Sequence, residues 1–320
     1  MGANANSPSG VAVVIPTYNC APYLPRALDS VLGQTYRDCS FFAIDDGSTD
    51  DTVSVIRCYL ERGIYLRQEQ SGPAAARNCG IRASNSSYLA FLDADDFWLP
   101  TKLERQIELL ERHPEIGLVC SNFSISGGLA PAASYFSRVR LPADGHMFAH
   151  LLRDCPVCTS TVVVRRQCLV DVGLFNESLS VAEDLNLWLR IASRWDVAII
   201  PEVLVTKHVR NENLSTTTAI ERKLSNGIAA LEHVMSSCAG ISSQEQCQVE
   251  RVLADRYYDY GSYLLAARAR QSARREFAAA LRLWPMHWRA TAKLGGTFLP
   301  ASSFEFLVRL LRGRNSVGLI

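Results

Sequence analysis

The sequence predicts an α/β fold joined to an all-helical C-terminal region. Three observations carry this. Short apolar runs alternate with helically spaced segments as far as Arg112, the pattern of strand–helix–strand units in a parallel sheet. Polar residues close the predicted strands at Thr17, Asp46, Asp93 and Asp95, and open parallel sheets bind ligands beyond the carboxyl ends of their strands. From about Thr216 the strand signals stop and helical spacing takes over.

The elements follow in chain order. Val11–Pro16 is a continuous apolar run before Thr17-Tyr18-Asn19, which reads as a buried strand entering a loop. Ala21–Leu32 puts Leu24, Leu28 and Val31 on one helical face. Ser40–Ile44 is a strand that runs into the acidic turn Asp45–Asp50, where Asp50 suits the start of a helix over Thr52–Glu61. Ile64–Arg67 is a short strand, Ser71-Gly72-Pro73 a turn, and Ala74–Ala83 a helix. Tyr88–Leu92 is a strand ending at Asp93-Ala94-Asp95-Asp96, and Pro100 opens a helix over Thr101–Arg112. Beyond Ile116 the pattern is mixed, with strands at Leu118–Ser126, Thr161–Arg165 and Val197–Ile200 and a helix at Glu183–Ser193.

This divides the chain into a flexible N-terminus (1–10), an α/β domain (11–215) and a helical region (216–320). Within the helical region, Tyr257, Tyr260, Gly261, Leu264, Ala273, Phe277, Ala280 and Pro285 have the spacing of one tetratricopeptide-like hairpin, about 254–287. Such arrays need about three copies to stand alone, so the hairpin is expected to dock on something else.

Composition narrows the function. With 48 % apolar and 20 % charged residues, the 320-residue chain can bury a core. A net charge of +1 excludes a protein that binds nucleic acid through bulk charge. No apolar run approaches the roughly 20 residues of a spanning helix. Met1–Gly10 lacks a basic start and an apolar stretch, so it does not read as a signal peptide and a cytoplasmic location is expected. The ten cysteines then read as reduced thiols. Cys155 and Cys158 form a lone C-x-x-C; a zinc site needs four ligands, and a structural role is expected.

Charge is unevenly spread. From Leu264 onward ten Lys and Arg face two Glu, a net +8, which leaves −7 for residues 1–263. Phe304, Phe306, Leu307, Val308, Leu310 and Leu311 interleave with Arg309, Arg312 and Arg314. On a helix this gives an apolar surface edged with arginine, which fits either an anionic membrane surface or packing within the protein.

The loop after the first strand has no G-x-G-x-x-G, which argues against a Rossmann dehydrogenase. It also lacks the Gly-rich basic loop of a nucleotidyltransferase. Asp93 and Asp95, two apart on a turn, can converge on a hard divalent cation, or on a ribose and a cation. Asp45-Asp46 ends a neighbouring strand in the same manner. Val14–Asn19, Ile44–Asp50, Ala75–Gly80, Phe91–Asp96 and Ala182–Leu185 followed by Leu187-Trp188 occur in that order. Together they resemble the inverting glycosyltransferase family 2, with its GT-A fold, over about residues 10–215. The resemblance implies a mixed nucleotide-sugar-binding sheet flanked by helices.

The site residues follow from the resemblance. Thr17 and Tyr18 would contact the base and ribose. Asp46 would accept from the N3–H of uracil or thymine. Arg77 would meet the base or the diphosphate, or instead pair with Asp46. Asp93 would hold the ribose and Asp95 a Mg²⁺ or Mn²⁺ ion. Asp184 would be the general base of a single in-line displacement, which needs no second carboxylate as nucleophile. Glu183 and Trp188 would lie on the acceptor or phosphate side, with core packing the other reading of Trp188. The family's Arg-x-His-x-x-x-Leu-Ser loop is only partly matched: Leu214-Ser215 fits, Arg210 stands where the histidine would align, and His208 lies two residues earlier. His208 would be a metal ligand and Arg210 a phosphate contact. The implied activity is transfer of a sugar, expected from a UDP-sugar, to a glycan or lipid-linked acceptor at the inner face of a plasma membrane. The alternative is a non-catalytic nucleotide-sugar-binding or scaffold protein.

Overall fold

The computed structural model describes residues 10–126, 147–209, 220–238 and 241–298. The chain divides into two compact units, Met1–Thr218 with His233–Ile241, and Ala219–Glu232 with Ser242–Ile320.

Among the described residues the first unit holds one eight-stranded sheet in the order β3-β2-β1-β4-β7-β6-β8-β5. The strands are β1 (Val11–Thr17), β2 (Cys39–Asp45), β3 (Gly63–Arg67), β4 (Tyr88–Phe91), β5 (Phe97–Trp98), β6 (Ile116–Ser126), β7 (Val163–Arg165) and β8 (Asp196–His208). β1, β2, β3 and β4 pair in parallel. The sheet is mixed, because β7 inserts antiparallel between β4 and β6. Val11–Ile15 of β1 and Phe41–Ile44 of β2 are apolar and buried, as strands covered on both faces must be.

Helices α1 (Leu24–Leu32), α2 (Thr52–Arg57), α3 (Pro73–Ala83) and α4 (Lys102–Arg112) follow the early strands. The spacing of Leu24, Leu28 and Val31 predicts the α1 stripe, and all three are buried. α3 lies tight on the sheet: a Cβ on Gly80 would sit 2.6 Å from Val14 Cγ1. That approach holds Arg77, one turn earlier, over the strand ends.

Two local expectations are corrected. The helix after the acidic turn stops at Arg57 instead of Glu61. β8 runs 13 residues where Val197–Ile200 is expected. Pro201 masks the continuation, and the ladder passes it through register shifts at Ser121 and Asn122, with Asn122 Nδ2 donating to the Pro201 carbonyl at 3.1 Å; a proline inside a strand is accommodated at such irregularities. Two short helices, α5 (Phe148–Arg153) and α6 (Arg166–Val172), precede α7 (Glu183–Ala192) and have no clear period in so few residues.

In the C-terminal part, α8 (Ile220–Ser237) precedes α9 (Ser243–Ala266), α10 (Arg270–Leu283) and α11 (Trp288–Gly296). Ser242 and Glu245 form a capping box at the start of α9. Ala254, Leu264, Ala273, Phe277, Ala280 and Ala290 form the second unit's core. Gly261 is required there, because a Cβ would meet the Phe277 ring at 2.8 Å. The expected flexible N-terminus (apart from Gly10), Arg210, Leu214-Ser215 and the basic tail from Phe304 lie outside the described residues.

Candidate functional site

The carboxyl ends of β1, β2 and β4 meet at one edge, and hydrogen bonds arrange it. Asp45 is fully buried; its carboxylate accepts from Ser48 N at 2.8 Å and Tyr65 Oη at 2.9 Å. It shapes its loop. Asp46 N donates to the Thr17 carbonyl at 2.8 Å. The Asp46 carboxylate accepts from Gln68 Nε2, Ser71 N and Gly72 N, each at 2.8 Å. Gly72 presents its N–H from φ +91°, a conformation glycine adopts without strain. Thr17 is buried, with its hydroxyl on the Ile15 carbonyl at 3.2 Å. Tyr18 is 41 % exposed at the rim.

Arg77 is where sequence and structure part. The expected partners are a ligand or Asp46. Instead Nη1 meets Glu183 Oε1 at 2.9 Å and Nη2 meets Asp93 Oδ1 at 2.9 Å. The side chain is buried, and its Nε is buried with no partner among the described atoms. It ties α3, the end of β4 and the start of α7 together. Glu183 is corrected with it: the carboxylate turns inward to Arg77 instead of toward an acceptor. Burial pushes Glu183 up and Arg77 opposes this.

Trp188 is also corrected. It is 0 % exposed and packs against Phe91 and Phe175 at ring distances of 6.1 and 5.9 Å. It is core and offers no acceptor wall.

Asp93 and Asp95 are half-buried, while Asp96 is buried. Asp96 Oδ2 accepts from Ser160 Oγ at 2.6 Å, and Oδ1 from His208 N at 2.9 Å. Burial and neighbouring Asp93 push the Asp96 carboxyl up to about 7. Ser160 Oγ also accepts from Asp93 N at 3.1 Å. One residue earlier, Thr159 Oγ1 donates to Asp184 Oδ2 at 3.2 Å. Asp184 Oδ1 accepts from Leu185 N at 2.7 Å. The 3₁₀ turn Thr159–Thr161 therefore bridges the acidic turn and Asp184. The three hydroxyls after the C-x-x-C are its only sequence signal.

His208 is expected as a metal ligand, and its ring goes elsewhere. It lies 5.2 Å from the Tyr23 ring, with Nδ1 3.4 Å from Ser126 Oγ. Strand alternation sends Lys207 to the acidic turn in its place. Lys207 Nζ donates to Cys158 Sγ at 3.7 Å. Cys158 and the carboxylates of Asp93, Asp96 and Asp95 raise the Lys207 ammonium above its usual range, against burial. Burial pushes the Cys158 thiol up to about 12, so it is neutral at ordinary pH and the carboxylates are what hold the charge. The residue pattern contains no signal for Lys207.

Among the described residues no three His, Cys, Asp or Glu side chains converge as a metal cage. Asp93 and Asp95 nonetheless fit Mg²⁺ or Mn²⁺, which bind through one or two carboxylates completed by phosphate oxygens and water.

Fold and acidic edge together define the GT-A class. Residues 12–167 match the family model described as Glycosyl transferase family 2. The Escherichia coli UDP-Glc:alpha-D-GlcNAc-diphosphoundecaprenol beta-1,3-glucosyltransferase WfaP is 31 % identical over 188 residues, covering 58 % of this chain and 70 % of that protein. An uncharacterized glycosyltransferase of Rickettsia bellii is 33 % identical over 221 residues, covering 68 % of this chain; the match spans only 31 % of that protein's length. S. aureus TarS 1-349 in complex with UDP superposes with TM-score 0.65 and 17 % identity, covering 97 % and 94 % of the two chains. Mannosyltransferase PcManGT from Pyrobaculum calidifontis in complex with GDP-Man and Mn²⁺ gives 0.59 and 19 %, covering 94 % and 85 %. The chain belongs to glycosyl transferase family 2.

Proposed function

We propose that the protein is an inverting, metal-dependent glycosyltransferase that moves a sugar from a UDP-sugar to a glycan or lipid-linked acceptor. The observation that carries this is the Thr159–Ser160 turn, which holds Asp184 and the Asp93–Asp96 turn on one frame. A base and a donor diphosphate must be fixed relative to each other for in-line attack.

In this reading the base and ribose lie against Tyr18, Asp46 and Asp93, with Thr17 supporting the loop. Asp46 has three donors already, and a carboxylate has about four acceptor positions, so one remains for an N3–H. Asp95 would hold the cation, with Asp93 beside it. The cation, when bound, would neutralise charge growing on the departing diphosphate. Asp184 takes the proton from the attacking hydroxyl. Thr159 holds one of its oxygens and Leu185 N the other, so the carboxylate keeps one orientation. Arg77 acts as a strut between Asp93 and Glu183, with no donor nitrogen turned to solvent.

A UDP donor and a lipid-linked acceptor are supported by the name of the E. coli relative. A place at the inner face of a membrane fits the same acceptor class. Among the described residues no helix is long and apolar enough to cross a membrane, while Met286, Trp288 and Phe298 are 82 %, 71 % and 67 % exposed beside Arg289 and Arg274. Exposed aromatics among cations suit an anionic lipid surface. The test is nucleotide diphosphate release from a panel of UDP-, dTDP- and GDP-sugars, with and without Mn²⁺. Release from a UDP-sugar that needs Mn²⁺ supports the reading; no release from any donor overturns it.

A further inference from the structure

The geometry points to Lys207 as the residue that grips the donor diphosphate, through two ammonium hydrogens left for phosphate oxygens. This rests on the nucleotide-sugar reading above and adds a residue to it.

The placement comes from strand pairing. Thr206 pairs with Phe97 across β8 and β5, and Phe97 directly follows the Asp93–Asp96 turn. His208 N then donates to Asp96 Oδ1 at 2.9 Å. Lys207 is thus locked beside the acidic turn from both sides. Its ammonium reaches Cys158 Sγ at 3.7 Å, and Cys158 immediately precedes the turn whose Ser160 binds both Asp93 and Asp96. The ammonium therefore lies where the acidic turn and the Thr159–Thr161 turn face each other.

Its bonding is incomplete. An ammonium has three donors and no acceptor. A neutral thiol is a weak acceptor, and among the described residues no carboxylate comes within 4.0 Å of Nζ. Asp93, Asp95 and Asp96 balance the ammonium's charge from beyond hydrogen-bond distance, so its other hydrogens are open to a further acceptor. A diphosphate at the acid edge supplies oxygens of the right sign.

The residue type points the same way. The chain has four lysines, Lys102, Lys207, Lys223 and Lys293, and all its other Lys/Arg positions, 29 of 33, are arginine. A lysine is used here, where a compact point charge fits and a planar guanidinium fork is larger. As the sugar leaves, negative charge grows on the diphosphate. A fixed ammonium stabilises that charge without reorganising.

The test compares UDP with uridine, which share the base and ribose and differ in the diphosphate. In calorimetry on the full chain, Lys207→Met should weaken UDP about ten- to a hundredfold, the range for losing a charge-assisted hydrogen bond, and leave uridine within about twofold. Lys207→Arg, which keeps the charge, should recover part of the loss. A second measurement needs no folded Met variant. In unmodified protein labelled with ¹³C-lysine, four ε-CH₂ signals are expected, and the Lys207 signal is the one missing from Lys207→Arg. UDP should shift it and uridine should not. Equal effects of UDP and uridine on this signal, or none from either, overturn the assignment. If the unmodified chain binds neither UDP nor uridine, the nucleotide-site reading falls as well; binding of both with an indifferent Lys207 overturns the lysine assignment alone.

Discussion

Replacing Arg77 by methionine should unfold the protein more easily and also disable it, and a double-mutant cycle can separate the causes. Arg77 is 4 % exposed and holds Glu183 and Asp93 at 2.9 Å each. The Glu183 side chain is 10 % exposed, while that of Asp93 is 29 % exposed, so most of the loss falls on Glu183. Removing one partner of a buried ion pair costs about 3–5 kcal/mol, because the other charge stays buried alone. Arg77→Met should therefore lower unfolding stability by about that amount. Glu183→Gln, which keeps the shape and leaves Arg77 its Asp93 partner, should cost less. The double variant leaves no unpaired charge at Glu183, so its loss should fall short of the sum by about 1–3 kcal/mol. The penalty in Arg77→Met should also shrink at lower pH: burial already pushes the Glu183 carboxyl up, and without the guanidinium it takes up a proton more readily. Urea unfolding followed by circular dichroism at pH 6 and pH 8 reads both effects, and Trp188 fluorescence reports on the neighbouring core. Losses that add to within about 0.5 kcal/mol, with no pH difference, would refute the strut argument.

Four further outcomes are expected. Asp184→Asn should cut turnover by about 10²–10⁴ with UDP affinity nearly unchanged; loss of UDP binding instead would move Asp184 into the nucleotide site. Asp95→Ala should abolish Mn²⁺-dependent turnover, and near-normal rates in EDTA would remove the metal from the scheme. Lys102 is fully buried against Gln106 at 2.6 Å and the Trp98 ring at 4.0 Å, and burial pulls its ammonium well below 10.5. The unfolded chain then binds one proton more than the folded chain between those two values, so stability rises with pH there by about 1.4 kcal/mol per unit from this group. Lys102→Met should remove that slope and stabilise the protein near neutral pH; parallel stability–pH curves would contradict this. Deleting residues 302–320 should reduce flotation with anionic vesicles at low salt and spare donor hydrolysis, and equal flotation with neutral and anionic vesicles would end the charge argument.

The parts of this protein legible in the sequence are those set by local chemistry. Val11–Pro16 of β1 and Phe41–Ile44 of β2 are continuous apolar runs, and such runs are what a strand buried on both faces requires. The α1 stripe follows from residues three and four apart. Five ordered motifs carried the family: four place polar residues at a strand end or helix start, and Ala75–Gly80 lies within α3. Asp45 shapes its loop by equally local means: its partner Ser48 is three positions away.

Tertiary structure alone decided which way the remaining side chains face. Arg77 and Glu183 meet across 106 positions and His208 N and Asp96 across 112, and no local period encodes such pairs. Glu183 and Trp188 share the first turns of one helix with Asp184, but α7 presents Glu183 to a buried arginine and Trp188 to two phenylalanines. The choice of Lys207 over His208 at the acidic turn depended on β8 continuing past Pro201, which the ladder to β6 permits and the residue pattern conceals. A strand's two faces are chemically distinct only after its neighbours are in place. The sequence could therefore bring the right residues to the right edge, while packing chose which of them look into the site.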